Sequence, residues 1–211
     1  MTKNKVIIFD FDGTLADTFS TVIEIVNGMS KEYGYEPLGI ELISALRHKR
    51  AQDIIKIFRV PIWRIPKLLF VVKDALGKKI GELLPFEGIP EMLSQLKSEG
   101  YVIGILSSNN LETVEEFVKK NKIDQFDFIY VEKNLFGKAR VLKNLMKRKE
   151  FDPNYVVYVG DETRDIEAAK KAGIKIISVD WGFNAVEALE KLSPDYLISK
   201  PEELPEIVRK L

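Results

Sequence analysis

The stretch Val6-Ile7-Ile8-Phe9-Asp10-Phe11-Asp12-Gly13-Thr14-Leu15-Ala16-Asp17 constrains the chain more than any other, because it carries two carboxylates out of the end of an apolar run. Four consecutive apolar residues are the pattern of a strand covered on both faces, as in a parallel sheet flanked by helices. Gly13 and Thr14 supply the turn that ends it. Asp10 and Asp12 stand at alternate positions of the strand end and point the same way. They repel each other unless a cation lies between them or one holds a proton. An Asp-Gly pair also closes many turns that do no chemistry, so the pair alone leaves a capping role and a catalytic role both open.

Composition narrows the chemistry. The chain has 211 residues, enough for one domain with an insertion. Lys+Arg and Asp+Glu stand at 32 each, which removes any whole-chain attraction to nucleic acid or to a membrane surface. There is no Cys, so disulfides, thiolate catalysis and sulfur-rich metal sites are excluded. Any metal is then held by oxygen, which favours Mg²⁺. Met1-Thr2-Lys3-Asn4-Lys5 leads straight into the first strand and does not read as a signal peptide. The most apolar stretch elsewhere, 60–72, is broken by Arg64 and Lys67 and is too short to span a bilayer. The expected location is cytoplasmic.

The pattern then divides. Apolar spacing predicts helices over 18–33, 40–46, 52–58 and about 65–84, with no strand among them and with Gly34, Pro61, Pro66 and Pro85 as breakers. From residue 91 helices alternate with short apolar strands. Strands are expected over 101–106, 128–131, 155–159, 174–179 and 196–198, and helices over 91–99, 111–120, 138–147, 164–172 and 185–192, with a further helix at the end. The expected fold is α/β, a doubly wound (Rossmann-like) parallel sheet core of residues 1–17 and 85–211. An all-helical cap, 18–84, is inserted after the first strand.

In an open parallel sheet, ligands bind beyond the carboxyl ends of the strands. Ser107-Ser108-Asn109-Asn110 follows the second expected strand and precedes a helix, so it is either an ordinary helix cap or a phosphate-holding turn. Gly160-Asp161-Glu162-Thr163-Arg164-Asp165 follows another, and a helix cap accounts for only one of its three acids. These segments, taken in order with the first, resemble the motifs of the haloacid dehalogenase superfamily, the aspartate-nucleophile phosphatases. That resemblance implies Asp10 as nucleophile and Asp12 as general acid and base. It implies Ser107 as a phosphoryl ligand, with Ser108 and Thr14 as neighbours. Asp161 becomes a Mg²⁺ ligand with Asp10 and the backbone carbonyl of Asp12, and Asp165 a support for the metal's water shell. Glu162 departs from the commonest motif and is read as lying behind the ligands or facing solvent. The family's Lys is assigned to Lys138, after Gly137 at a helix start, with Lys133 as runner-up.

The resemblance also implies that 18–84 is the helical cap that closes over the site in one branch of the family. Within it, Arg47, Lys49 and Arg50 are either a solvated loop or contacts to a second acidic group of the substrate. His48 is read as a bystander, and Phe58, Trp63 and Phe70 as cap core. Val179-Asp180-Trp181-Gly182-Phe183 and the residues after it resemble phosphoglycolate phosphatases, a pattern shared with relatives acting on pyrophosphate, sugar phosphates and nucleotides. The expected partner is a small phosphorylated metabolite, with the chain a monomer or homodimer. Asp12 and Asp161 argue against dehalogenation. A phosphomutase and a non-catalytic phosphate-binding module remain as alternatives.

Overall fold

Val6–Phe9 forms β1 and pairs in parallel on both sides, with Val102–Ser107 (β2) and with Val156–Gly160 (β4). A strand paired on both sides needs both faces covered, and all four of its residues are buried. Phe128–Val131 (β3) extends the sheet beyond β2, and Lys175–Val179 (β5) and Tyr196–Ile198 (β6) extend it beyond β4. The order is β3-β2-β1-β4-β5-β6, all parallel, the doubly wound α/β arrangement expected. This computed structural model describes residues 5–50, 53–54, 60–132 and 137–211. The helix expected over 52–58, Phe58 and Lys133 therefore lie outside the described residues, apart from Asp53 and Ile54, which are helical.

The period of two in β1 divides the core into two layers. Ile7 and Phe9 face helices Ile89–Ser98 (α4) and Leu111–Lys120 (α5) and the final helix Leu204–Lys210 (α9), through Leu93, Leu96, Phe117 and Val208. Val6 and Ile8 face Lys138–Lys149 (α6) and Thr163–Ala172 (α7), through Leu142, Leu145, Ile166 and Ala169. Short helix Val186–Glu190 (α8) adds Leu189 to that layer.

Between β1 and β2 the chain forms Phe19–Tyr33 (α1), Ile40–Arg47 (α2) and Ile65–Lys79 (α3), the last extended by a 3₁₀ turn, Ile80–Glu82. The helix expected to reach residue 84 thus tightens after Lys79. The chain returns to the core through Leu83 and Pro85, where Leu84 and Pro85 meet Ala16 and Asp17. Ile25, Met29 and Tyr33 of α1 and Leu76 of α3 join the same core layer as Ile7 and Phe9. Trp63 and Phe70, expected in the interior, are 77% and 70% exposed. The inward side of α3 is taken by Leu68, Val71, Val72, Ala75 and Leu76, which leaves Phe70 on the outer side, and Trp63 lies exposed in the turn before the helix. Among the described residues no helix is long and apolar enough to cross a membrane.

The β2–β3 pairing leaves no room for a side chain at Gly104, since a methyl group there would lie 2.1 Å from the ring of its register partner Phe128. Gly104→Ala must swing that ring away from Phe151, 5.7 Å distant by centroids. Overpacking of this kind costs about 1–3 kcal/mol. Urea unfolding of the variant is expected to show a lower midpoint with an unchanged m value.

Candidate active site

The polar groups of interest sit just past the carboxyl ends of β1, β2 and β4, the three central strands. Asp10 continues β1 with its backbone N–H bonded to Val159, and its Oδ1 accepts from the N–H of Phe11 at 2.9 Å. Asp161 follows β4, fully buried; its Oδ1 accepts from the Thr14 hydroxyl at 2.7 Å and its Oδ2 from the N–H of Phe183 at 2.7 Å. A Cβ at Gly13 or at Gly182 would come within 2.3 Å of the Asp161 carboxylate. Gly13 also has φ of +76°, a conformation that L side chains rarely adopt. The two glycines let two loops close on one carboxylate.

Asp165 lies in the first turn of α7, where negative charge is favoured. Its Oδ2 accepts from the N–H of Glu162, completing a reciprocal cap in which the Glu162 side chain accepts from the N–H of Asp165. Lys138, the first residue of α6, places its ammonium between Asp10 and Asp165, donating at 2.6 Å to Asp10 Oδ2 and also to Asp165 Oδ1. The ring of Tyr158 lies 5.3 Å from the same ammonium. Asp10, Asp161 and Asp165 offer carboxylate oxygens within 4.8 Å of one another.

Burial pushes the Asp10 carboxyl up to about 7, against the attraction of Lys138, and raises Asp161 well above its ordinary 3.8. The Lys138 ammonium is held well above its usual range because Asp10 and Asp165 outweigh its own burial. Three buried acids with a single ammonium among them are under-neutralised, and an all-oxygen cluster of this size suits a hard divalent cation.

Asp12 sits apart from that triad. Its Oδ2 accepts from Asn109 Nδ2 at 2.8 Å, and its Oδ1 is buried with no hydrogen-bond partner among the described residues. Burial raises it to about 6, with Arg164 and Lys73 pulling the other way. Ser107 is buried at the end of β2, and its Oγ accepts from the N–H of Asn109 at 3.0 Å. Ser107, Ser108, Glu132, Lys138 and Arg164 line a small open cleft beside these acids.

Of the residues singled out in the sequence, Asp10, Asp12, Thr14, Ser107, Ser108, Lys138, Asp161 and Asp165 converge here. Glu162 is largely buried, and it accepts a hydrogen bond from Arg164. The basic run of the insertion does not converge. Arg47 donates to the carbonyls of Gly182 (2.9 Å) and Phe183 (3.2 Å) and lies over the ring of Phe19. Asn184 donates to the carbonyls of Arg47 and Lys49, His48 faces Glu187 at 3.6 Å, and Arg50 faces Glu167 at 3.4 Å. This segment fastens α2 to the loop that grips Asp161.

Three contributors carried no recognised signal in the sequence: Asn109, Arg164, and Lys73 of α3, whose ammonium donates to the Ser108 carbonyl at 2.7 Å. Arg164 had a readable trace, a cation in the first turn of a helix, where acids are favoured. Lys73 is one of many lysines on a helix, and only the fold brings it here.

The model for the haloacid dehalogenase-like hydrolase family matches residues 7–179. The chain is similar to a phosphoglycolate phosphatase of Synechococcus elongatus, 36% identical over 98% of each chain. It is also similar to pyrophosphatase PpaX of Bacillus mycoides, 24% identical over 99% of each. Among solved structures, a haloacid dehalogenase-like hydrolase from Streptococcus pneumoniae superposes with a TM-score of 0.81 at 25% identity, covering 98% of this chain and 99% of that one.

The raised carboxyls set a sign for pH dependence. With folded values above 3.8, Asp10 and Asp161 contribute stability below about pH 4 that is lost as pH rises through their raised values, about 7 for Asp10, because the metal-free fold then holds protons the unfolded chain has released. A bound divalent cation favours the charged forms and removes that penalty. The rise in melting temperature on adding Mg²⁺ to stripped protein is expected to be larger at about pH 8 than at about pH 5. Asp161→Asn is expected to flatten the difference in differential scanning fluorimetry.

Proposed function

The chain belongs to the haloacid dehalogenase-like hydrolase family and is a phosphatase, and we propose that it is a Mg²⁺-dependent one that hydrolyses a small phosphorylated metabolite through an aspartyl-phosphate. One observation carries this reading: Lys138 joins Asp10 to Asp165 with Asp161 alongside, while Asp12 stands separately, bonded to Asn109 and with a buried oxygen that has no hydrogen-bond partner among the described residues. The carboxyl that serves as acid therefore stands outside the cation cluster, to which the nucleophile Asp10 belongs. Asp10, Asp161 and the Asp12 backbone carbonyl would hold Mg²⁺, with Asp165 supporting its waters. Bound there, the ion screens the negative nucleophile from the negative phosphate.

The Asp10 carboxylate attacks phosphorus and forms an acyl phosphate as the ester P–O bond breaks. Asp12, raised to about 6, holds a proton far more readily than an ordinary carboxyl and gives it to the departing oxygen. It then takes a proton from the water that attacks the acyl phosphate, which frees inorganic phosphate and restores Asp10. Ser107 and Lys138, on the wall of the cleft, hold phosphoryl oxygens where charge gathers. Helices α1 to α3, read as the cap over residues 18–84, close on the core of 1–17 and 85–211 and exclude water during the first step.

Phosphoglycolate is the substrate type favoured by the similarity to the Synechococcus elongatus enzyme. A phosphomutase would use the same groups and pass the phosphoryl to a second hydroxyl. The two curated relatives named above are a phosphatase and a pyrophosphatase, which favours water as acceptor.

Asp10→Asn is expected to lower kcat with an aryl phosphate by roughly three orders of magnitude or more, with the melting temperature kept or raised because a buried charge is removed. Asp12→Asn is expected to cost about 10²–10⁴-fold. EDTA is expected to abolish turnover and Mg²⁺ to restore it. Equal turnover by Asp10→Asn, or activity indifferent to EDTA, would sink the mechanism.

A further inference from the structure

Arg164 occupies a position that helix electrostatics disfavours. It is the second residue of α7, where the macrodipole makes a cation unwelcome. Its guanidinium has five N–H donors. One Nη donates to Glu162, its Nε is buried without a partner, and among the described residues Arg164 makes no other hydrogen bond. Unmet donors in a buried setting are costly. Here they belong to a side chain on the wall of the cleft, next to Ser107, Ser108 and Lys138.

A second cation approaches from the other side. Lys73 reaches down from α3 and donates to the carbonyl of Ser108, a residue of the same cleft wall. Among the described residues it forms no ion pair with a carboxylate; its hydrogen-bond partner is neutral. Both cations act on Asp12, and Arg164 also acts on Lys73 as a like charge. Both positive groups thus bear on the acid that serves the leaving group.

We propose that Arg164 and Lys73 form a subsite for a second anionic group carried by the leaving group, a carboxylate or a second phosphoryl. The proposal rests on the phosphatase reading above and adds the substrate class: small phosphate compounds with another acid a few bonds from the scissile phosphorus. The planar fork of Arg164 suits either anion, and Lys73 supplies a point charge from the insertion. Placement beside Asp12 fixes the second anion on the departing fragment, because Asp12 protonates that fragment. Arg47 and Arg50 are engaged elsewhere, with the carbonyls of Gly182 and Phe183 and with Glu167.

The test compares kcat and KM for 2-phosphoglycolate, pyrophosphate and ethyl phosphate, the last similar in size to the first but lacking its carboxylate. The wild-type chain is expected to prefer at least one of the first two over ethyl phosphate by about tenfold or more in kcat/KM. Which one it prefers identifies the anion as carboxylate or phosphoryl. Lys73→Gln and Arg164→Gln are each expected to reduce that preference about tenfold, chiefly through KM, and Arg164→Lys to restore part of it. Lys73 stands on a different element from the cap of α7, so its variant tests the subsite even where Arg164→Gln lowers the melting temperature. Equal losses on all three substrates, with a shifted pH profile, would mean that the cations only adjust Asp12, and would overturn the subsite. A wild-type chain that treats ethyl phosphate as well as the other two overturns the subsite and leaves the phosphatase reading standing. A chain inactive on all three but active on an aryl phosphate overturns the subsite alone, and one inactive on the aryl phosphate as well overturns both.

Discussion

Lys138 holds Asp10 and Asp165 together across the ends of β1 and β4, and that ammonium is what makes so many buried acids tolerable in one place. Removing a carboxylate from water is expensive unless it is paired and hydrogen-bonded. Every acid of the triad has such support: Phe11 N–H for Asp10, Thr14 and Phe183 for Asp161, Glu162 N–H for Asp165. The backbone has to come close for this, which explains the glycines. A Cβ at Gly160 would lie 2.5 Å from the Asp165 carboxylate, just as Gly13 and Gly182 leave room for Asp161.

The parallel sheet sets the positions from which these groups project. Strands β1, β2 and β4 run side by side, so their carboxyl ends deliver Asp10, Ser107 and Asp161 to one edge. The inserted helices touch that edge at two separate points. Arg47 binds the carbonyls of Gly182 and Phe183, and the N–H of Phe183 donates to Asp161. Lys73 binds the carbonyl of Ser108, next to Asn109, which donates to Asp12. One contact leads to the acids of the triad and the other to the separate acid, so movement of the helices is linked to both halves of the site.

The strands and most helices were legible in the sequence because long apolar periodicity is a local property. Boundaries shifted by a residue or two where capping decides them, as at Thr163, which Glu162 caps, and Ile89, where the chain enters the helix at Gly88. Asp10, Asp12, Asp161 and Asp165 stood out because acids gather just after apolar strands, and the family resemblance, not the spacing, implied their roles. Trp63 and Phe70 misled because apolar character does not say which side of a helix meets the core. The run at Arg47, Lys49 and Arg50 left two readings open for a related reason: charge density announces a contact without saying with what, and here Arg47 meets carbonyls and Arg50 meets Glu167. Lys73 and Asn109 could not be found at all, since their roles arise from contacts between elements far apart in the chain.

Charge balance links the cation cluster to the substrate. Asp10, Asp12, Asp161, Glu162 and Asp165 are buried or half-buried at this edge, and Lys73, Lys138 and Arg164 are the cations that act on them. With all groups ionised, five negative charges meet three positive ones, and the excess equals the charge of one divalent cation. The cations are unevenly placed: Lys138 serves Asp10 and Asp165, while Lys73 and Arg164 both act on Asp12. When Asp12 carries its proton for the leaving group, Lys73 and Arg164 each lose one negative charge that acts on them, while Arg164 keeps its hydrogen bond to Glu162. At that moment the region beside Asp12 holds surplus positive charge next to the departing fragment, and a fragment that is itself anionic gains there what a neutral one does not.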